Sequence, residues 1–402
     1  MKDPSRVAVM GPLAPFASAF VEELGRRGYA RVSAVAQMQL VAHLSRWMAA
    51  EGLAAGELTA AQVQRFAEAR RAAGYRHFVR PSALAPLLEC LRGLGVTPAA
   101  DAGALGAPAD LLAERYREYL VDERGLAATT VRAYMGVARR FLGAVGEREG
   151  EPDLAGLTAG AVGRFVLAEV GRVGPGSAGN VVVGLRSLLR FLHVEGLIGG
   201  ELSAAVPAVA PRPRGLPRAL PAQTVARLLA SCDRRTAKGR RDFAVLTVLW
   251  RLGLRAGEAC AIELSDIDWR AGELLVRGKA GRRARMPLPV DVGEALAGYV
   301  QRGRPRVRSG RLFLRVVAPI APLASAGVSQ IVRHACRRCG LPEVGAHALR
   351  HSAATETLHA GASLAEIGQL LRQQTAFTTA IYARVDRPAL AELARPWPEA
   401  AR

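Results

Sequence analysis

Two stretches near the C-terminal end carry side chains that could act together on a phosphate. The first holds His347 and Arg350, and the second ends at Tyr382. A histidine and an arginine three residues apart can share one face of a helix, and arginine is a two-pronged donor to phosphate oxygens. Tyrosine can form covalent intermediates, and Tyr382 is the only tyrosine after Tyr299. These residues predict a site that binds a phosphate and attacks it.

Each piece alone has a simpler interpretation. A single His-x-x-Arg is more often a surface pair, and a single tyrosine is usually part of a core or a surface. Support comes from upstream, where Gly253 ends one helix and Arg255 opens the next, with Glu258 in its first turn. An arginine there lies beside free backbone N–H groups that favour an anion, and Glu258 can brace it.

A third candidate, Lys279, lies at the tip of a hairpin. Strands are predicted at Glu273–Arg277 and Arg285–Leu288, with a glycine-containing turn between them. A lysine at a hairpin tip is usually a solvated charge. Here it is one of only three lysines in a chain that otherwise uses arginine, and lysine can hand over a proton more easily than arginine.

Helical periodicity surrounds these residues in the C-terminal half. The predicted helices are Gln223–Ser231, Arg241–Leu252, Ala256–Leu264, Asp291–Gln301, Ala326–Cys339, Ser352–Ala360 and Ser363–Arg372. This half is therefore expected to be mostly helical, with the hairpin as its small antiparallel sheet.

The N-terminal half is also predicted to be helical, in two blocks that resemble each other. The nine residues 58–66 match residues 157–165 at six positions, and four leucines of 84–91 match four leucines of 185–192. In both blocks Leu-Thr starts a helix, with the threonine as a candidate N-cap. Two tandem copies of a helical module, or coincidence between Ala/Leu-rich helices, would give this pattern.

Charge and composition narrow the class of protein. With 55 Lys+Arg against 35 Asp+Glu, the net charge is +20, which favours a polyanionic partner, nucleic acid first. No apolar run has the length of a membrane span and no signal segment is seen, so a cytoplasmic protein is expected. Five scattered cysteines argue against a disulfide framework, and the pair Cys336 and Cys339 is interpreted as two thiols at one helix end.

The ordered set of Arg255 with Glu258, Lys279, His347-x-x-Arg350 and Tyr382 resembles the tyrosine recombinase (phage integrase) family, with specific motifs over 221–385. The resemblance implies a mainly α fold with a small antiparallel β-sheet in the C-terminal catalytic domain, helical N-terminal DNA-binding domains and a C-shaped DNA clamp. The expected domains are an extra helical domain over 1–100, a core-binding SAM-like domain over 109–205, a Pro/Arg linker over 206–220 and the catalytic domain over 221–402.

The resemblance also implies a role for each residue. Arg255 and Arg350 would clamp the scissile phosphate, and Tyr382 would attack phosphorus to give a 3′-phosphotyrosyl link. Lys279 would protonate the leaving 5′-oxygen, and His347 would assist proton transfer or donate to the phosphate. No metal or other cofactor is implied. His351 is interpreted as a packing or supporting residue.

One position departs from the family pattern. The stretch Leu371-Arg372-Gln373 aligns with a family motif that reads Leu-Gly-His, so Gln373 stands where the family usually has histidine or, less often, tryptophan, and Arg372 replaces the glycine. Glutamine can still donate a hydrogen bond but cannot carry a charge. Losing a charged donor would cost a factor of about 10–100 in rate. Arg372 could lend a charge nearby.

The family further implies how the protein would work with its partners. The expected partner is double-stranded DNA in the nucleoid, held by a homotetramer on paired sites, with partner recombinases in some cases. Leu390, Leu393 and Trp397, beyond the tyrosine, would contact a neighbouring subunit or pack on their own domain.

Three functions stay open at this point. The first is a site-specific recombinase that integrates or excises a mobile element. The second is a catalytically weak or inactive DNA-binding accessory protein of such an element, which Gln373 favours. The third is a strand-swivelling topoisomerase with the same chemistry.

Overall fold

The chain folds into two compact units, which the computed structural model describes over residues 3–97, 108–148, 151–174, 177–208, 219–278, 281–373 and 379–382. The first unit contains Met1–Val7, Ser18–Met38 and Arg214–Arg402. The second contains Ala8–Ala17 and Gln39–Pro213. The four domain boundaries expected from the sequence stay a prediction. Most of the Pro/Arg linker and the tail after Tyr382, with Leu390, Leu393 and Trp397, lie outside the described residues.

The N-terminal half is helical, as its periodicity predicts. The helices are α1 Ala17–Arg26, α2 Arg31–Ala50, α3 Ala60–Ala72, α4 Ala85–Gly93, α5 Pro108–Glu118, α6 Ala128–Leu142, α7 Ala159–Val173 and α8 Ala178–Val194. Two-residue strands, β1 Glu147–Arg148 and β2 Glu151–Pro152, pair after α6. In the part of the chain that the structure describes, no helix combines the length and the apolar character of a membrane span.

The C-terminal half places a small sheet among helices. Its elements are α9 Ala222–Ala230, α10 Ala237–Arg251, α11 Ala256–Ala261, β3 Ile267–Asp268, β4 Glu273–Arg277, β5 Arg283–Pro287, α12 Val290–Arg302, α13 Ser325–Arg338, α14 Ala346–His359 and α15 Leu364–Leu370. The strands form one antiparallel sheet in the order β3-β4-β5, with Leu275 opposite Arg285. The expected fold class, mainly helical with a small antiparallel sheet, is confirmed.

One helix boundary differs from the prediction in a way that matters for the site. The helix expected from Ser352 begins six residues earlier, at Ala346. Gly345, its N-cap, has no side chain to accept a hydrogen bond from the first turn, so the sequence lacks the usual start signal. His347 and Arg350 therefore both lie on α14.

Helix α10 is the centre of the C-terminal core. Its apolar residues Val245, Val248 and Leu249 are fully buried, and α12 and α14 pack against it. Thr236 caps its start by accepting from the backbone N–H of Gly239 at 3.0 Å. Gly239 has no room for a side chain, because a Cβ there would lie 1.9 Å from the carbonyl oxygen of Asp233. This buried helix fixes the position from which the next loop begins.

The C-x-x-C pair lies at the end of α13, as expected. Cys336 is buried and Cys339 is half-buried, and neither forms a disulfide. The Cys339 thiol donates to the carbonyl oxygen of Arg227 at 3.5 Å. The two thiols therefore pack at one helix end.

Candidate active site

Arg350 is the buried centre of the site. It lies on α14, and 2% of it is exposed. Its guanidinium donates to the carbonyl oxygens of Gly253, at the end of α10, and of Leu371 at 2.6 Å. Burial, followed by the positive charge of Arg255, lowers the pKa of Arg350 to about 10. The group stays charged at neutral pH and is held rigidly by backbone oxygens.

The loop that accepts from Arg350 requires a glycine. Gly253 has a φ of +55°, in the left-handed region. A Cβ there would also lie 2.8 Å from a side-chain carbon of Leu371. Gly253 thus brings the end of α10 close to the carbonyl that the same arginine contacts.

Arg255 lies at the N-cap of α11, where the sequence predicts it. The carboxylate of Glu258, in the first turn, accepts from the Arg255 backbone N–H at 2.9 Å and also pairs with its guanidinium. The Arg255 side chain is 43% exposed while Glu258 is 5% exposed. Glu258 braces the arginine, as expected, and leaves much of it open to a ligand.

Glu258 is shared by three arginines. Besides Arg255, it pairs with Arg372 at 2.9 Å and lies 3.9 Å from Arg350. Burial opposes ionisation of Glu258, but the Arg255 backbone N–H and the charge of Arg372 outweigh it and lower its pKa. One buried carboxylate therefore holds the cationic side of the site together.

Arg372 turns inward rather than toward a ligand. Its φ of 51° is unusual for a residue with a side chain. Its guanidinium pairs with Glu258 and donates to the carbonyl oxygen of Leu370 at 2.8 Å. From the sequence, we expect Arg372 to place a positive charge near the phosphate. In the structure this charge neutralises Glu258 instead.

Tyr382 lies buried beside the cations. It is 1% exposed and packs with Ala354, Leu358 and Ile367 among other apolar residues. Burial raises the pKa of its hydroxyl, and the charges of Arg350 and Arg255 act in the opposite direction. The structure therefore brings Tyr382 into the electrostatic field of the two arginines that the sequence pairs with it.

His351 contacts the tyrosine hydroxyl, which its expected packing role does not predict. Nδ1 of His351 and the Tyr382 hydroxyl oxygen lie 2.9 Å apart, within hydrogen-bond distance. Burial, followed by the charges of His347 and Arg350, lowers the pKa of His351 to about 4. Its ring is therefore neutral at neutral pH, with one of its two nitrogens unprotonated.

His347 lies one helical turn before His351. The two rings meet edge to face, with 5.2 Å between their centroids. His347 is exposed on α14. Desolvation by the surrounding protein atoms, followed by the positive charges of Arg350 and Arg255, lowers the pKa of His347. At neutral pH it is a hydrogen-bonding group beside the arginines.

Gln373 is tied to the segment that carries the tyrosine. The Thr379 hydroxyl donates to its side-chain oxygen at 2.6 Å, and its backbone N–H donates to Gly368 at 2.9 Å. The side-chain amide N–H bonds are the donors that Gln373 can offer to a ligand. Lys279 lies outside the described residues, so its place in the site stays a prediction.

Sequence reasoning missed two contacts of this site, His351 with Tyr382 and Arg372 with Glu258. Each joins residues far apart in the chain. The available signals were local ones: a second histidine one turn after His347, and an arginine in place of a turn glycine. Neither signal identifies the residue that the side chain contacts.

Comparison with known proteins places the chain in a family. The phage integrase family model matches residues 218–388. The integrase/recombinase y4rA of Sinorhizobium fredii is 40% identical over 398 residues, covering 96% of this chain and 95% of that protein. The tyrosine recombinase XerD of Mycobacterium tuberculosis is 33% identical over 296 residues, covering 69% of this chain and 94% of XerD. A lambda integrase tetramer bound to a Holliday junction shares the fold, with a TM-score of 0.54 at 20% identity over 81% of this chain and 90% of that one. This chain belongs to the phage integrase family of tyrosine recombinases.

Proposed function

We propose that the protein is a site-specific DNA recombinase of a mobile element, acting in the nucleoid, that cuts and rejoins strands through Tyr382. The observation that carries the proposal is the position of the Tyr382 hydroxyl, which lies 2.9 Å from Nδ1 of His351 and in the field of Arg350 and Arg255. This arrangement supports Tyr382 as the nucleophile, His351 as the proton acceptor and the two arginines as the anion-binding pair.

In the cleavage step, the Tyr382 oxygen attacks the scissile phosphorus and its proton passes to Nδ1 of His351. The bond from phosphorus to the 5′-oxygen breaks, and Lys279 protonates that oxygen. The products are a 3′-phosphotyrosyl bond and a free 5′-hydroxyl. Rejoining is the reverse, with a 5′-hydroxyl of the partner strand as nucleophile, so the energy of the diester is kept in the covalent link.

The remaining polar groups bind the phosphate. Arg350 is fixed by two carbonyl oxygens and Arg255 by Glu258, so both cations are in place before the charge on the phosphoryl oxygens builds up. His347, exposed beside them, donates to a phosphate oxygen. The amide N–H bonds of Gln373 do the same in place of a charged group.

The partner that fits this chemistry is duplex DNA. The net charge of +20 supports it. Four protomers on two DNA sites would supply one tyrosine for each of four strand cuts, and a tetramer on a Holliday junction is known for the lambda integrase. We propose the same assembly for this chain.

Covalent trapping tests the proposal. The protein is incubated with nicked suicide duplexes carrying the ends of its own genetic element, with a chelator in place of magnesium, and adducts are separated on a denaturing gel. The wild type should form an adduct and Tyr382→Phe should not. Tyr299→Phe is the matched control, because it removes another buried hydroxyl from the same unit and should keep the adduct.

The accessory-protein alternative predicts a different result. Because Gln373 lacks the charge that the family has there, a protein that binds the duplex but forms no adduct would support an accessory role.

The role of Lys279 has its own test. Lys279→Ala should cut slowly, and a substrate with sulfur in place of the 5′-bridging oxygen should restore its rate, because a thiolate leaves without protonation.

A further inference from the structure

The two helical blocks of the second unit share several local features. We define the first module as residues 39–97, containing the end of α2 with α3 and α4, and the second module as residues 128–197, containing α6, α7 and α8. Thr59 caps α3 by accepting from Gln62 at 3.4 Å, and Thr158 caps α7 by accepting from Ala161 at 3.3 Å. The two threonines are 99 residues apart.

The same offset relates one member of an aromatic contact in each module. Phe66 of α3 contacts Trp47 of α2, with 5.6 Å between ring centroids. Phe165 of α7, 99 residues later, contacts Phe141 of α6 at 5.0 Å. In both modules an aromatic pair therefore joins the first two helices.

The ends of the last helices also match. The backbone N–H of Val96 donates to Leu91 at 2.9 Å, and that of Leu197 donates to Leu192 at 2.9 Å. Each motif turns on a left-handed glycine, with φ of 71° at residue 95 and 70° at residue 196. Other helices of the chain also end at a left-handed glycine, at Gly28, Gly52 and Gly340, so the threonine caps and the aromatic contacts are the features that favour duplication.

The modules differ in the loop before their last helix. Four residues, 174–177, separate α7 from α8 in the second module. In the first module eight residues, 73–80, separate α3 from a short 3-10 turn that precedes α4. Tyr75, Arg76, His77, Phe78 and Arg80 of this longer loop are all exposed. The first module thus has an extra basic and aromatic surface.

Arg70 holds this loop in a defined conformation. It lies in the last turn of α3, is 8% exposed, and contacts Nδ1 of His43 at 3.2 Å. Its guanidinium donates to the carbonyl oxygen of His77 at 3.2 Å and lies 4.0 Å from the centre of the Tyr75 ring. The loop residues that follow α3 are therefore presented on a fixed backbone.

The charge of the loop points to a polyanion. No acidic residue lies between Glu68 and Glu89. Among the described residues no carboxylate pairs with Arg76 or Arg80, and 39% of Phe78 is exposed next to them. Unpaired arginines alternating with exposed rings match a phosphate backbone with its sugars and bases.

We propose that the loop Tyr75–Arg80 is a second DNA-contacting surface, which binds duplex DNA flanking the segment on which Tyr382 acts. Arg76 and Arg80 neutralise phosphates, and Phe78 packs against the sugars at the groove edge. The inference rests on the proposed function, because it takes DNA as the substrate of the chain.

Salt-dependent binding of the full-length protein tests the surface. Fluorescence anisotropy is measured with a labelled random-sequence 60-bp duplex, for the wild type and for Arg76→Ala/Arg80→Ala. Losing two phosphate contacts should reduce the slope of log K against log salt by about 1.8 and weaken binding about 10–30-fold at 0.15 M salt. Phe78→Ala should weaken binding with the slope unchanged.

A charge-matched variant is the control. Arg65→Ala/Arg71→Ala removes two arginines from the same module, but these pair with Glu51 and Glu68. Its slope should stay within 0.5 of the wild type. Equal salt slopes for all three proteins would overturn the inference. Equal losses of DNA affinity in the two double variants would overturn it as well. A variant that keeps its DNA affinity but loses affinity for an acidic protein would assign the loop to another partner.

Failure of this inference and of the proposed function can be told apart. The Arg76→Ala/Arg80→Ala variant should still form the Tyr382 adduct on a short suicide duplex, because the loop lies outside the catalytic residues. If this variant forms normal adducts and its salt slope is unchanged, only the inference about the loop is wrong. A wild type that binds no duplex at all would sink the proposed function.

Discussion

Nδ1 of His351 lies 2.9 Å from the hydroxyl oxygen of Tyr382, across 31 residues of sequence. The histidine comes from the second turn of α14 and the tyrosine from the segment that follows α15 and the turn after it. Arg350, next to the histidine in sequence, is held by carbonyl oxygens on its other side. The histidine that contacts the Tyr382 hydroxyl therefore lies on the same helix as Arg350, for which we propose phosphate binding.

Replacing His351 should slow cleavage without preventing DNA binding. His351→Phe keeps a ring but loses the acceptor, and we expect adduct formation to slow about 100-fold. His351→Asn places an oxygen near the position of Nδ1 and should lose only about tenfold, because it orients the hydroxyl without taking its proton. Single-turnover cleavage with saturating protein measures both. Equal rates for the wild type and both variants would remove His351 from the mechanism.

The same residue should make the fold sensitive to acid. The pKa of His351 is about 4 in the folded protein, below its unfolded value of about 6.5. The unfolded chain therefore binds more protons between these values, and stability present above pH 6.5 is lost as the pH falls toward 4. We expect the wild type to lose about 1–3 kcal/mol more than His351→Asn over this window. Urea unfolding at pH 7 and pH 4.5 checks it, and parallel losses would contradict it.

Glu258 should be more important for stability than any exposed carboxylate of the same unit. Glu258→Gln leaves Arg255, Arg350 and Arg372 close together without their shared anion, and breaking a buried ion pair from one side costs about 3–5 kcal/mol. Glu273→Gln is the control, because Glu273 makes an exposed pair with Arg285 at 2.9 Å and should cost less than about 1 kcal/mol. Thermal unfolding of both variants decides, and similar melting temperatures would show that the carboxylate is not central.

Local signals predicted the elements of the site, but not the contacts between them. The strand Glu273–Arg277 and the start of α11 at Ala256 follow from alternation and from a helix-ending glycine, and both have the predicted start. The start of α14 was placed too late because Gly345 supplies no capping side chain. Arg372 pairs with Glu258, which lies 114 residues earlier in the chain. The pairing depends on a backbone conformation at Arg372 that favours glycine. Such contacts are set by packing, which single-sequence patterns do not encode.

Arg372 should matter little for phosphate binding. Its guanidinium faces Glu258 and backbone oxygens, so Arg372→Gly, which also suits the left-handed backbone, should keep the cleavage rate within about threefold. Arg350→Ala should lose about 1,000-fold, because it removes one of the two arginines that we propose bind the phosphate. Adduct rates on the same suicide duplex separate the two. A large loss in Arg372→Gly would mean that its charge reaches the phosphate after all.

Gln373 should limit the rate through its missing charge. Gln373→His introduces a group that is cationic below about pH 6.5, and we expect cleavage about tenfold faster than the wild type at pH 6 and a smaller gain at pH 8. Thr379→Val removes the hydroxyl that orients the glutamine at 2.6 Å and should slow the wild-type sequence a few-fold, while leaving Gln373→His faster than its parent. Rates for the four proteins at both pH values are compared on one duplex. If Gln373→His cuts no faster at pH 6, the amide already does what the imidazole would do, and the loss of charge at this position has no catalytic cost.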